Sequence, residues 1–476
     1  MQSRYDIAIV GGGAAGVLAA IQLLRQARGP LAIALLEPAP RLAEGVAYST
    51  ARGEHLLNVP TGRMSALPEQ PEDFLDWLAT RPGHADQPRE ALAAGFAPRR
   101  DYAHYLRERL RQAMAASPAR LDVVPHRAGA LLRADGGWTI EAGPERIAAR
   151  RVLLAAGNAP RPLPVRGSGA LAKPRLIDAW DYDGIAAIGP EASVCIVGTG
   201  LSMADALLTL AANGHRGQVH LLSRHGLLPL AHAPAHALDE GFEVESLHAL
   251  GTRARLRAIR ARVRDAGQHG LPWQGVMERL RPHGRALWRS LPAAEQRRFL
   301  RHARRAWDIH RHRVAPQVQA ALQALHDSGR LHLHRARLDL AVAGQRCVQL
   351  GARTRDGRTL VLDVDHVVNA TGLELRVQAM RNPLLDRLLG EGHACPGAHG
   401  IGLASDGDGR LLDADRRPQD DLRVIGSLRI GQDWETIAVP ELRMQAEAVA
   451  RDWLTPKTAR PGLCAAVRRA AATPPR

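Results

Sequence analysis

Lysine is all but missing from this chain of 476 residues; it stands only at positions 173 and 457. The formal net charge of +16 is therefore almost wholly arginine, as a genome rich in G and C would produce. Compositional bias of that kind weakens a reading of the charge as a nucleic-acid signal, and no nucleic-acid partner is expected. Cysteine is scarce as well. Cys195, Cys347, Cys395 and Cys464 are scattered and form no CxxC. That excludes a redox dithiol and a zinc ribbon, and it fits a reducing cytoplasm. Long apolar runs are absent too: none approaches the roughly 20 residues that cross a bilayer, so no membrane partner is expected. The opening "MQSRYDIAIVGGG" enters a strand at once, and no secretory signal is expected there. The expected location is cytoplasmic.

What is present describes an ordered protein. Apolar residues make up 45% of the chain, and its length predicts two domains of about 150–250 residues. Residues 5–37 read "YDIAIVGGGAAGVLAAIQLLRQARGPLAIALLE". An apolar strand runs into a glycine turn, then an Ala/Leu-rich helix, then a second apolar strand ending at Glu37. Gly11 permits the tight turn, Gly13 lets the backbone approach a pyrophosphate, and Gly16 allows close helix–strand packing. The pyrophosphate would rest on the helix N-terminus, where unpaired amides and the helix dipole favour negative charge. Glu37 stands where a carboxylate binds both ribose hydroxyls. Strand, turn, helix and acid together point to dinucleotide binding, whereas a glycine-rich turn alone would not.

A second unit, "ASVCIVGTGLSMADALLTLAANGHRGQVHLLSR", covers residues 192–224. It carries Gly198 and Gly200, but Met203 replaces the third glycine, so a wider helix–strand separation is expected. Its second strand ends in Ser223 and Arg224 rather than an acid. An acid at this place favours a free 2′-hydroxyl, and an arginine suits a 2′-phosphate. The two units therefore suggest FAD in the first and NAD(P)H, with a preference for NADPH, in the second.

Two more apolar strands close on glycine, in "RVLLAAGNAP" with Gly157 and "DHVVNATGLE" with Gly372. Such strand ends recur where two-dinucleotide flavoproteins pass the chain between domains. Near the C-terminus "LRVIGSLRIGQDWETIAVPELRMQ" places Gly426 and Ser427 where many FAD enzymes have Gly-Asp, which leaves the ribityl ligand open. The amides around Ile437–Val439 are candidates for the flavin's pyrimidine edge. The expected fold class is α/β, with two Rossmann-like dinucleotide-binding domains and helical insertions. The FAD domain takes residues 1–188 and 366–476, and it is interrupted by an NAD(P)H domain over 189–365 that carries a basic helical insert. The two units aside, there is no internal repeat.

The stretches "GVAYSTARGEHLLNVPTGRMSALPEQPEDFLDWL", "IVGTGLSMAD", "SRHGLLP", "WDIHRHRVAP" and "WETIAVPELRMQA" resemble the bacterial FAD/NAD(P)-binding flavoprotein family, across nearly the whole chain. That family is similar to flavin monooxygenases, including N-hydroxylating ones, and one branch is known as FAD-dependent urate hydroxylases. The resemblance implies reduction of FAD by NAD(P)H and transfer of oxygen from O2, through a flavin hydroperoxide, to a small organic substrate that carries negative charge. Conversion of urate to 5-hydroxyisourate is the substrate reading it suggests. The alternatives are a flavin-dependent reductase or dehydrogenase without oxygen transfer, and N-hydroxylation of an amine or amino acid. The missing CxxC argues against a disulfide reductase. No FxGxxxHxxxWP-like stretch follows Gly157, which argues against a Baeyer–Villiger enzyme.

In related monooxygenases an amide lies near flavin and nicotinamide, and Asn58 in "LLNVP" is its counterpart. Capping of the turn before Pro60 is the plainer reading. His55 is a candidate acid or base, against an exposed histidine. Met64 and Trp77 are expected to pack the helical segment after the first unit. Trp434 and Glu435 lie beside the expected isoalloxazine, although Glu435 also suits a helix N-terminus on charge alone. From Arg253 to Arg313 there are 17 Arg against 4 Asp and Glu. His310 and His312 are two apart and face different ways on a helix, and no acid or thiol completes a ligand set, so no metal is expected. The plain reading of the run is a solvated face. The functional one is that Arg311 and Arg313 draw NAD(P)H or an anionic substrate to the cleft. The sequence does not define an oligomeric state.

Overall fold

The computed structural model describes residues 3–233 and 237–455. The apolar run that opens the chain becomes the strand Ser3–Val10, parallel to Ala32–Leu36 on one side and Glu145–Leu154 on the other. This sheet runs in the order 410–412, 418–424, 145–154, 3–10, 32–36, 120–124, and two antiparallel strands, 128–134 and 137–142, branch from it. Both faces are covered, which is why its central strands are continuously apolar. One face carries the helices Ala14–Gln26, Arg99–Ala116 and Val439–Leu454, and the other packs on the antiparallel strands and the helix Pro383–Gly390. Met64 and Trp77 lie in the first of these cores, as expected from the sequence.

The second sheet has the order 359–364, 348–354, 331–343, 219–223, 194–197, 366–369, 176–178. It reaches beyond the expected 189–365 segment on both sides. His366–Asn369 pairs with Val194–Val197 and with Leu176–Asp178, so residues assigned above to the FAD domain complete this sheet. Only Val367 and Val368 of "HVVN" are apolar; both are fully buried, and nothing local in so short a strand states which sheet it joins. Where the chain passes between sheets, Ala159–Pro160 pairs antiparallel with Leu373–Glu374.

Between the strand Val219–Ser223 and the helix Pro316–Asp327 the chain builds a helical body. It contains the helices Thr252–Gln268, Trp273–Leu280, Gly284–Arg289, Ala293–His302 and Arg304–Arg311. Proline sets three of these starts: Pro272 and Pro292 stand just before the first helical residue and Pro316 is that residue, where its missing N–H costs nothing. The body has its own core around Val244, Ile259, Val276 and Leu280. A smaller cluster, Trp288, Phe299 and Trp307 with Trp434, joins it to the C-terminal part of the chain.

Candidate functional site

The first glycine turn is built as its spacing implies. Gly11 has φ +107°, and a Cβ there would sit 2.4 Å from the carbonyl oxygen of Ala155 on the neighbouring strand. A Cβ on Gly16 would come within 1.8 Å of the Gly11 carbonyl oxygen, so helix and turn meet only because position 16 is bare. The helix starts after Gly13 with no side-chain cap and no acid in its first turn, which leaves its amides and dipole for an anion. Glu37 accepts from the Gly12 amide at 2.7 Å and from the Ala39 amide at 2.9 Å, fixing its carboxylate at the rim of this seat. These groups fit the pyrophosphate and ribose of FAD.

The second unit repeats the device. Gly198 has φ +110°, and a Cβ would lie 2.1 Å from the carbonyl oxygen of Ala370. The helix Leu201–Ala212 starts after Gly200, again uncapped and without an acid in its first turn. Met203, in place of the third glycine, is fully buried beneath it. Arg224 is exposed just past the strand end. Burial lowers the pKa of the neighbouring His225, and Arg224, Arg305 and Arg335 lower it further, so three cations gather at this edge. Arg305 belongs to the helical insert and was not singled out in the sequence. It donates to the carbonyl oxygens of Thr199 at 2.6 Å and Leu227 at 2.8 Å. Its only sequence signal was membership of the basic run.

The two crossing strands bring the remaining glycines together. Ser427 Oγ donates to the Gly157 carbonyl at 2.7 Å, and the Gly426 amide donates to Gln445 Oε1 at 2.9 Å. Gly372 accepts from the Arg161 amide at 3.2 Å across the short antiparallel pair. Ser427 thus holds the two segments in register where other FAD enzymes offer an acid.

His55 is not placed for proton transfer. Its ring is fully buried, with Nδ1 2.8 Å from Thr50 Oγ1 and Nε2 2.9 Å from Thr209 Oγ1. Burial lowers its pKa. Every ring nitrogen is spent, so His55 bridges the 50–60 loop to the helix Leu201–Ala212. Beside it Arg99 clasps Asp205 with two bonds, of 2.7 and 3.0 Å. Asn58 is half-buried, and its carbonyl accepts from His232 Nε2 at 3.0 Å. That bond requires the proton on Nε2, and burial together with Arg313 lowers the His232 pKa to about 4.

Trp434 stacks on Trp288 with ring centroids 5.2 Å apart, and it meets Phe299 edge-on. Glu435 accepts from Trp307 Nε1 at 2.8 Å and lies 2.9 Å from Arg311 Nε. Both side chains therefore clamp the helical insert. Arg311 and Arg313 do not face solvent as steering charges must; they are 8% and 3% exposed. Arg311 faces Glu435 and Glu441, and Arg313 pairs with Glu278, which also pairs with Arg63. Glu435 and Glu441 lie far outside the basic run, and Glu278, inside it, stands 35 residues from Arg313, so the pairing was not visible in the sequence. Desolvation opposes ionisation of Glu278, but Arg313 and Arg63 outweigh it and hold the pKa at about 2.

No functionally curated protein matches the sequence. Solved structures share the fold at low identity. The ornithine hydroxylase of Pseudomonas aeruginosa, in its reduced form, is 18% identical with a TM-score of 0.64, covering 94% of this chain and 98% of that one. The ornithine N-hydroxylase of Kutzneria sp. 744, with reduced FAD, NADP+ and L-ornithine, is 16% identical with a TM-score of 0.64 over 94% and 99%. The cadaverine monooxygenase of Erwinia amylovora, bound to FAD, is 13% identical with a TM-score of 0.66 over 95% of each chain. Residues 8–159 match a family model described as FAD-NAD(P)-binding, and the chain thus carries an FAD- and NAD(P)-binding region on the fold shared with these enzymes.

Proposed function

We propose that this chain is an FAD-dependent, NADPH-using monooxygenase that N-hydroxylates a small amine or amino acid. The observation that carries the reading is the pair of uncapped glycine seats, Gly11 on Ala155 and Gly198 on Ala370, at the ends of two sheets whose chains cross between them. The fold shared with the ornithine and cadaverine enzymes favours N-hydroxylation over urate hydroxylation, for which neither a motif nor a relative speaks. When bound, FAD and NADPH supply hydride transfer and the activation of O2.

The chain's own residues do the rest. The uncapped amides that follow Gly13, at the start of the helix Ala14–Gln26, hold one pyrophosphate, and Glu37, oriented by the Gly12 amide, takes the ribose hydroxyls. The amides after Gly198 and Gly200 hold the other pyrophosphate, with Arg224 and Arg305 at the 2′-phosphate. Asn58 would lend its side-chain amide to the flavin, and the helical insert, clamped through Trp434 and Glu435, would shield the site from water. A dithiol mechanism has no support in the described cysteines: Cys195 is buried, with its thiol pushed up to about 12 by burial, and burial also raises the pKa of Cys395.

The test begins with FAD absorbance of the purified protein. NADPH consumption, O2 uptake and peroxide release are then followed with L-ornithine, L-lysine, cadaverine and urate. Amine-dependent consumption with little peroxide and a hydroxylamine product supports the reading. Stimulation by urate alone, or consumption without O2 uptake, overturns it.

A further inference from the structure

The helical insert buries more arginine than acid where it meets the segments expected to touch the flavin. Arg63 follows Asn58 by five residues, and Glu441 lies in the first turn of the helix Val439–Leu454, just after Ile437. Onto this place the insert brings Glu278, Arg281, Arg311 and Arg313. Arg63 and Arg313 share Glu278, Arg311 faces Glu435 and Glu441, and Arg281 stands 3.6 Å from Glu441. Four guanidinium groups thus meet three carboxylates. Nearby Asp308 does not make up the difference, because Arg304 is its own partner. Two histidines face the cluster: His232, against Arg313, has its pKa lowered to about 4 and adds no charge near pH 7, and burial, helped by Arg311 and Arg281, lowers that of His312 as well.

A guanidinium cannot shed its proton near neutral pH, and a buried charge without a counter-ion is costly. The excess is also visible atom by atom. Arg313 is 3% exposed, and its Nε and Nη1 are buried without a hydrogen-bond partner, as is Nη2 of Arg281. One acceptor, Oε2 of Glu441, is likewise open, so the place suits a single negative charge better than two. Trp273 lies beside Arg313, with its ring centroid 5.8 Å from the guanidinium carbon, and gives the site an aromatic wall. Half-exposed Arg63 marks the solvent side.

We propose that Arg313 and Arg281, with Arg63 at the entrance, form a binding site for one carboxylate, the anionic end of the substrate. The inference rests on the monooxygenase reading and narrows it, since it favours an amino acid over a diamine. Planar guanidinium donors match a carboxylate in shape as well as charge.

Calorimetric titration of acetate and of benzoate, a small and a large carboxylate, into the FAD-loaded protein at low chloride tests the site. The expected result is one site per chain, weakened about tenfold or more in both Arg313→Gln and Arg63→Gln, with FAD content unchanged. Arg63→Gln keeps the buried Arg313–Glu278 pair, so a folding defect in the first variant leaves the second informative. Failure of both carboxylates to bind the parent, or undiminished affinity in Arg63→Gln, overturns the proposal. A parent that takes up no FAD contradicts the flavoenzyme reading instead, and titration of that FAD-free chain still reads the anion site.

Discussion

A methyl group added at position 11 would lie 2.4 Å from a backbone oxygen, in a backbone conformation that side chains rarely adopt. Neither strand can retreat, because both are bonded into the centre of the first sheet. Gly11→Ala is therefore expected to reduce bound FAD by about tenfold or more, measured as flavin absorbance per chain. Glycines of this kind were legible in the sequence, because spacing alone states the steric demand. Histidines were not. His55 reads as a candidate acid or base until burial is known, and burial lowers its pKa, as it does that of His232, which the sequence did not single out. For His232 the sign is clear. Its folded pKa of about 4 lies below the ordinary value of 6.5, so its stabilising share is complete above pH 6.5 and is lost as pH falls toward 4. His232→Gln should flatten the fall in stability over that window, by about 3 kcal/mol at most, in urea titrations at pH 7 and pH 4.5.

Among the elements, the strand–helix–strand units were read correctly because their periodicity is local. The contacts that join elements were not legible. Asp205 lies inside the helix Leu201–Ala212, and nothing in "SMADALL" announces that it faces Arg99, 106 residues earlier. The sheet membership of His366–Asn369 was hidden for the same reason. Arg99 and Asp205 form the charged part of the contact that seats the second unit's helix against the 50–60 loop. Arg99→Ala leaves Asp205, with 9% side-chain exposure, without its guanidinium. The expected loss is about 3 kcal/mol of stability in chemical denaturation. KM for NADPH should rise as well, since the helix that loosens is the one proposed to offer its N-terminus to the nucleotide.

Over the whole molecule, the arginine-rich insert divides into two faces with different physics. On the helix Thr252–Gln268, Arg253, Arg257, Arg260 and Arg264 are exposed, spaced three or four apart along one side. They are the solvated face that the composition suggested. Arg311 and Arg313 belong to the other face, which the Glu278, Glu435 and Glu441 carboxylates hold against the rest of the chain. Salt separates the two. Exposed charges more than about 10 Å apart are screened at 0.1 M, whereas buried pairs are screened far less. Replacing the four exposed arginines together by glutamine should leave catalysis unchanged, with stability shifted by roughly 0.5 kcal/mol or less per site. Arg311→Gln should lower stability by about 3 kcal/mol, because Glu435 is left buried without its cation. That loss should be nearly the same at low salt and at 0.5 M NaCl, measured by urea denaturation. A steering charge would behave the other way, raising KM at low salt only and leaving the unfolding curve untouched.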